Sequence, residues 1–359
     1  MKLKIILVLV VFALSLAYVL WRLWCVTPGG WPWKLAVTGG FVLWFGVAIA
    51  GFALTEHFSV KMATQLYEVG LPWLIAFLYL LLICVVTDVA VLCHVFPKAL
   101  LYNSAFGLAS TVGIVAAIMI AGNIHYRQKY REELAIKTEK PLEKPLTIVL
   151  ASDLHVGYHN RRQELARWVD IINAEHPDLV LIGGDILDRS VRPLLEGDFA
   201  AEFRRIEAPV WATLGNHEYY SDVDGAAKFF SDAGICLLRD EVRLFRGVEV
   251  IGRDDRTNSR RKPLSALTGS LGGFTILLDH QPYHLEEAEA AGIDFQFSGH
   301  THRGQVWPIS WATDAVYEKS WGHYTRGHTH YYVSSGLGIW GPKVRIGTRS
   351  EYLVLHIKN

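Results

Sequence analysis

The run IDFQFSGHTHRGQ, residues 293–305, carries an apolar, strand-like stretch straight into two histidines set between glycines. In extended chain, residues two apart project the same way, so His300 and His302 can face one point. A single loop histidine is ordinarily a polar surface residue. A flanked pair at this spacing is a metal-site geometry, provided that other segments bring partners to it.

Four further runs have the same form. LTIVLASDLH (146–155) ends at Asp153 and His155, and PDLVLIGGDILD (177–188) reaches Gly183, Gly184 and Asp185. APVWATLGNHE (208–218) ends at Asn216 and His217, and FTILLDH (274–280) ends at His280. Between the first two, residues 162–175 place Leu165, Ala166, Val169 and Ile172 at helical spacing. Strand, helix and strand in this order imply right-handed crossovers and a covered central sheet. Residues just past the carboxyl ends of neighbouring strands converge on one crevice. Taken singly, a strand-end Asp or Asn is a turn or cap residue, and His280 alone reads as a core histidine. Repeated over five runs, the coincidence points to a shared rim bearing Asp153, His155, Asp185, Asn216, His280, His300 and His302. Carboxylate, amide and imidazole without thiolate suit manganese, iron or zinc rather than a structural zinc. Seven candidate ligands exceed the needs of one ion, so two divalent ions are expected, a pairing suited to displacement at phosphorus.

The ordered set DLH, GD, GNHE, H, GHTH resembles the calcineurin-like metallophosphoesterase superfamily over residues 147–357, and the tail SSGLGIWGPKVRIGTRSEYLVLHI (334–357) resembles the end of its small bacterial members. The resemblance implies a sandwich of two sheets flanked by helices. It implies that Asp153, His155 and His302 hold one metal and Asn216, His280 and His300 the other, with Asp185 bridging and manganese the foremost candidate. His217 would stay off the metals and stabilise phosphoryl oxygens or protonate the leaving oxygen, while Asp188 would orient neighbouring groups.

Two other stretches are less decisive. GRDDRTNSRRK (252–262) is either a solvated loop or an anion-gripping lid, which makes Arg256, Arg260 and Arg261 candidate substrate contacts. WGHYTRGHTHYY (321–332) repeats the GHTH string, but this copy leads into a strand rather than following one, so it reads as coincidence. His323 within it is a further candidate for approaching the site.

The first 125 residues are a different material. Leu3–Trp24, Leu35–Leu54, Leu71–Cys93 and Ala105–Ile124 are apolar stretches that reach or approach the ~20 residues needed to cross a bilayer as a helix. Trp21, Trp24, Trp31, Trp33 and Trp73 fall near their ends, as interfacial rings do. A cleaved leader, with Lys2 and Lys4 before an apolar core and Ser15-Leu16-Ala17 as cleavage site, is the competing reading of the first stretch. The continued apolar run and the three stretches that follow disfavour it. Lys2 and Lys4 before the first span, and Arg127, Lys129 and Arg131 after the fourth, place both termini in the cytoplasm. Asp88 lies inside the third span and is expected to be neutral or paired.

Three regions result: a four-helix transmembrane region over 1–125, a charged, helix-compatible amphipathic segment with the Pro-containing linker KPLEKP over 126–145, and an α/β (α+β) domain over 146–359. Residues 1–140 carry 11 Lys+Arg against 6 Asp+Glu, and the remainder 24 against 29. The acidic balance of the second part argues against a nucleic-acid partner. Cys25, Cys84, Cys93 and Cys236 form no CxxC pair and read as small hydrophobes.

The expected function is hydrolysis of a phosphoester or pyrophosphate by an integral protein of a bacterial plasma membrane. Four spans point to a lipid-linked phosphate substrate at the cytoplasmic leaflet, with UDP-2,3-diacylglucosamine, the substrate of a pyrophosphatase in the family, as a specific candidate. The alternatives are a hydrolase of soluble nucleotides or cyclic phosphodiesters, and a membrane sensor or scaffold with an inactive domain. Transport through the spans lacks the intramembrane charged pairs of a coupling pathway.

Overall fold

A computed structural model describes residues 2–269 and 272–359. The chain divides into two compact units, 1–124 and 125–359.

The first unit is helical. It comprises α1 (Lys2–Val26), α2 (Trp31–Ala53), α3 (Val60–Gly70), α4 (Pro72–Leu92), the single turn α5 (Lys98–Leu101) and α6 (Ala105–Arg127), whose last turn enters the second unit. Four segments are long and apolar enough to cross a membrane: Ile5–Val26, Trp31–Ala53, Val60–Leu92 and Ala105–Arg127. Proline in the first turn of α2 and of α4 costs nothing, because those N–H groups have no intrahelical acceptor. Trp73 stacks on Phe77 and Phe45, filling the space where α4 meets α2. Asp88 is paired. Arg22 Nη2 approaches its Oδ1 at 3.1 Å, and the hydroxyls of Tyr18 and Tyr102 donate to Oδ2 and Oδ1 at 2.6 and 2.8 Å. Asp88 is therefore paired as expected, and helix packing supplies the partner by bringing Arg22 in from near the end of α1. The side chains of Lys2 and Lys4, used above for orientation, lie outside the described residues.

The second unit is a sandwich of two six-stranded sheets. Its strands are β1 (Lys129–Lys137), β2 (Leu146–Ala151), β3 (Leu179–Gly183), β4 (Val210–Thr213), β5 (Ile235–Leu237), β6 (Glu241–Phe245), β7 (Val248–Gly252), β8 (Phe274–Leu278), β9 (Phe295–Ser298), β10 (Gly322–Arg326), β11 (Thr329–Val333) and β12 (Ser350–Lys358). One sheet runs β1-β12-β2-β3-β4-β5 and the other β10-β11-β9-β8-β7-β6. Ile148, Leu150 and Leu181 of the first meet Val250, Ile276, Phe295 and Phe297 of the second in a dry interior. The outer face of the first sheet is covered by α7 (Arg162–Ala174) through Leu165, Trp168, Val169 and Ile172, with Phe199, Phe203, Phe229 and Phe230 beside them. Both sheets have parallel strands at their centres, β2-β3-β4 and β7-β8-β9, and these read as continuous apolar runs because both faces are buried.

One expectation is overturned. Residues 129–137 are not a helix-compatible segment ahead of the domain but β1, an edge strand paired in parallel with β12 from Lys129↔Ser350 to Lys137↔Lys358. Leu134 and Ile136 alternate inward onto the sandwich core. Tyr126, ahead of the strand, is buried and donates to Asn160 Oδ1 at 2.9 Å. The domain therefore starts before the KPLEKP turn rather than after it.

Candidate metal centre

The carboxyl ends of β2, β3, β4, β8 and β9 carry the residues singled out from sequence. The turns leaving these strands are sharp. Asp153, His155, Asp185, His300 and His302 all have positive φ, between 45° and 71°. Such values cost non-glycine residues energy, and they persist only where the surroundings fix them, which is common at functional sites. Two glycines are required by close approach. A Cβ on Gly215 would run into the Asp185 carboxylate, and one on Gly299 into Asp153 Oδ2.

Three overlapping groups of side chains could each hold a cation: Asp153, His155 and His302; His155, Asp185 and His217; and Asp185, His280 and His300. His155 Nε2 lies 3.0 Å from His302 Nε2, and Asp153 Oδ1 is 3.4 Å from the latter. Asp185 Oδ2 stands 3.7 Å from His155 Nε2 and 3.1 Å from His280 Nε2, between the outer groups. Asn216 Oδ1 and His300 Nδ1 are 2.8 Å apart. All seven sequence-derived ligand candidates thus converge on one crevice.

The hydrogen bonding shows why this cluster suits cations. His280 Nδ1–H donates to the Gly183 carbonyl at 2.7 Å, which fixes the tautomer and turns the Nε2 lone pair toward the Asp185 carboxylate. Two acceptors facing each other at that distance need a proton or a cation between them. Burial drives the His155 and His302 imidazoles well below their ordinary pKa, so two neutral Nε2 atoms meet with at most one proton between them. Their Nδ1 atoms are buried without hydrogen-bond partners. Burial also pushes Asp153 up to about 6, whereas Asp185, despite its burial, is held well below the carboxylate range by His280 and His217. Without metal the His280 imidazole, opposed by burial but raised well above its ordinary pKa by Asp185, keeps a proton there; divalent ions would supply positive charge to the same carboxylate, amide and imidazole donors, so the residues fit a pair of them.

His217 stands beside the cluster. Its ring is 4.5 Å from that of His155, and its Nδ1 lies 3.3 Å from Asp188 Oδ1. Burial disfavours its charge, but Asp185 and Asp188 outweigh it and raise the imidazole to about 9. Asp188 occupies Nδ1, which leaves Nε2 for a substrate oxygen.

The loop candidates divide. Arg261 Nη1 is 3.1 Å from Asp279 Oδ1, and Arg253 takes the other oxygen at 3.2 Å. A buried carboxylate demands these cations, so Arg261 serves the loop and not an anion in the crevice. Arg260 is exposed and its backbone N–H donates to Asn258 Oδ1. Arg256 has neither engagement: its guanidinium lies 4.4 Å over the Tyr283 ring, and its Nη1 is buried without a hydrogen-bond partner. Tyr283 contacts Tyr317, whose ring is 6.2 Å from that of His300. His323 does not join the cluster. It stacks on His330 of the second GHTH string across the β10–β11 ladder, with Nε2 3.1 Å from Nδ1.

Two positioning residues escaped the sequence reading. Glu218 accepts from the backbone N–H groups of Asp185, Ile186, Leu187 and Gly215 at 2.7–3.1 Å, tying the GD turn to the GNHE turn. Arg345 is buried and donates to the His302 carbonyl at 2.8 Å. Glu218 stands within the quoted GNHE string, directly after His217, and that adjacency was the available signal. Nothing local marks Arg345.

Residues 146–304 match the calcineurin-like phosphoesterase family. Residues 146–304 thus carry a calcineurin-like phosphoesterase domain. The chain is 32% identical over 230 residues to a metallophosphoesterase of Helicobacter pylori (61% of this chain, 62% of that one) and 28% identical over 259 residues to one of Campylobacter jejuni (68% of each). It is also 30% identical over 270 residues to a transmembrane protein with metallophosphoesterase domain from Danio rerio, over 68% of this chain and 61% of that one. The chain thus spans about two thirds of the length of these relatives.

Proposed function

We propose that the protein is a membrane-anchored hydrolase of phosphoester or pyrophosphate bonds that works with two divalent ions on a lipid-linked phosphate at the cytoplasmic leaflet. The observation that carries the reading is the position of Asp185, whose Oδ2 lies 3.7 Å from His155 Nε2 of one outer ligand group and 3.1 Å from His280 Nε2 of the other, with His217 held beside them by Asp188. Asp153, His155 and His302 would hold one ion and Asn216, His280 and His300 the other. Bound there, the ions supply Lewis-acid activation of water and neutralise phosphate charge. His217, protonated at neutral pH in the metal-free site, offers Nε2–H to a phosphoryl or leaving oxygen. Arg256 is placed to meet a second phosphate or other anionic group beside His300. The four membrane-length helices, and the cations that follow the last of them, support the lipid-linked substrate and the cytoplasmic placement.

One observation favours a second reading. The Tyr283–Tyr317 wall next to His300 would also stack a nucleobase, as a soluble nucleotide substrate requires.

Metal content and turnover of the purified chain test both readings. Two divalent ions per chain and hydrolysis of a chromogenic phosphodiester are expected, and neither is expected of a scaffold with an inactive domain. Vesicle-embedded phospholipid diesters compared with free nucleotide diesters then separate the two substrate classes.

A further inference from the structure

Helix α8 (Ile309–Val316) follows the His302–Gly304 turn of the GHTH loop and leads directly into Tyr317. It is an unusual element for a water-facing surface. Within it only Ser310 is buried, while Ile309, Trp311 and Val316 are 43, 65 and 65% exposed. Trp307, just ahead, is 41% exposed and meets Trp311 edge-on at 5.3 Å. Two tryptophans and two branched aliphatics thus stand together on the surface. Contiguous exposed apolar residues of this kind mark interaction sites.

Charge separates the candidate partners. Arg303, stacked 4.2 Å over the Trp321 ring, and Lys319 flank the helix, and neither has a carboxylate partner among the described residues. Of the carboxylates close by, Glu318 is paired with Arg326, and Asp314 accepts from Ser320 but keeps its charge, so the two flanking cations exceed it by one. In a unit with more acidic than basic residues, this patch leaves an excess of positive charge around tryptophan and aliphatic side chains. That combination complements anionic headgroups over an acyl layer, because tryptophan favours the interface and basic residues meet lipid phosphates. Among the described residues the same chain carries four helices long and apolar enough to cross a membrane, which in the proposed function tie the domain to a bilayer.

We infer that α8 and Trp307 form an interfacial foot that seats the catalytic domain on an anionic bilayer surface. Tyr317 at the end of the foot packs beside His300, so the seated domain presents the mouth of the ligand cluster at headgroup depth. The inference rests on the membrane-anchored part of the proposed function and not on the identity of the substrate.

The test uses the full chain in nanodiscs of phosphatidylcholine with phosphatidylglycerol. Trp311→Cys and Val316→Cys are compared with Leu195→Cys, a position 62% exposed on the same domain. Each is labelled with a bulky, water-soluble maleimide, and the modified peptides are identified by mass spectrometry so that the native cysteines do not interfere. Labelling at 311 and 316 should be at least about tenfold slower than at 195, because an interfacial helix buries its apolar face in the headgroup boundary. High salt or purely phosphatidylcholine discs should narrow the gap. Equal rates at all three positions in anionic discs would overturn the inference. So would protection that appears only on adding soluble cell extract, which indicates a protein partner, or only as chains per disc increase, which indicates a second copy. The readout needs no turnover, so a wrong substrate class would leave it unchanged.

Discussion

Asp185 stands between the two outer ligand groups: it faces His155 and His280, and its Oδ1 accepts from the His217 backbone N–H at 2.9 Å. Asp185→Asn removes one anionic oxygen from the centre of the site. We expect it to lose more bound metal than a change at any single outer residue, measured by elemental analysis after dialysis. Two ions retained at near-normal turnover would refute the dinuclear assignment. His217 is different in kind. His217→Gln should keep metal content and lower turnover by about 10²–10³, the usual scale for lost charge stabilisation or proton donation. The raised pKa of His217 also sets a pH dependence for the metal-free protein. Its folded value, about 9, exceeds the unfolded value, near 6.5. Its contribution is therefore complete below pH 6.5 and is lost as pH rises through 9, a change of about 3 kcal/mol at 1.36 kcal/mol per unit. His280, opposed by burial but raised by Asp185, acts in the same sense. Denaturant unfolding of chelated protein at pH 6, 8 and 10 measures this, and a flat profile would contradict the assigned ion pair.

At the scale of elements, β1 is where local sequence misled. KYREELAIK carries Tyr130 and Leu134 at helical spacing, and Leu134 and Ile136 at strand spacing. Nine residues cannot separate the two periods when most side chains are charged. The decision comes from 221 residues further along, where the free edge of β12 supplies a parallel register that satisfies the strand's backbone. A consequence follows for truncation. A fragment beginning at residue 125 keeps β1 and Tyr126 and should fold and hydrolyse a soluble phosphodiester. A fragment beginning at 141 exposes the edge of β12 and leaves Ile357 and Leu355 without Ile136, so it should unfold at markedly lower denaturant and aggregate. Equal stability of the two fragments, read by circular dichroism, would mean that β1 is dispensable. The strand-end motifs behave in the opposite way. DLH, GD, GNHE and GHTH were legible because each follows an apolar run long enough to be a buried strand, and parallel strands deliver their ends to one side.

For the whole molecule, the Arg22–Asp88 pair, in which Arg22 is buried and Asp88 half-buried, is the test of the helical unit. Breaking a buried pair strands an uncompensated charge, typically at 3–5 kcal/mol, whereas replacing both partners with apolar residues is near neutral. Arg22→Met should therefore lower thermal stability in detergent strongly, and Arg22→Met with Asp88→Leu should recover most of it. If the single and double variants lose stability equally, the pair is not what holds α1 to α4. Composition by itself determined that this chain has a membrane-length apolar part and a separate α/β part, because hydropathy and strand-end motifs are local properties. It also determined which seven residues are capable of holding metal, since ligand chemistry belongs to residue type and the motifs fix their place on strand ends. Only the tertiary structure decided that Arg22 comes to Asp88, that β1 completes a sheet, that Arg261 is consumed by Asp279 and that His323 meets His330. Three of these are pairings between groups 18 to 221 residues apart, and the fourth is set by the β10–β11 hairpin. A buried charge or an open strand edge takes whichever partner the packed fold brings within reach, and local sequence does not say which partner that is.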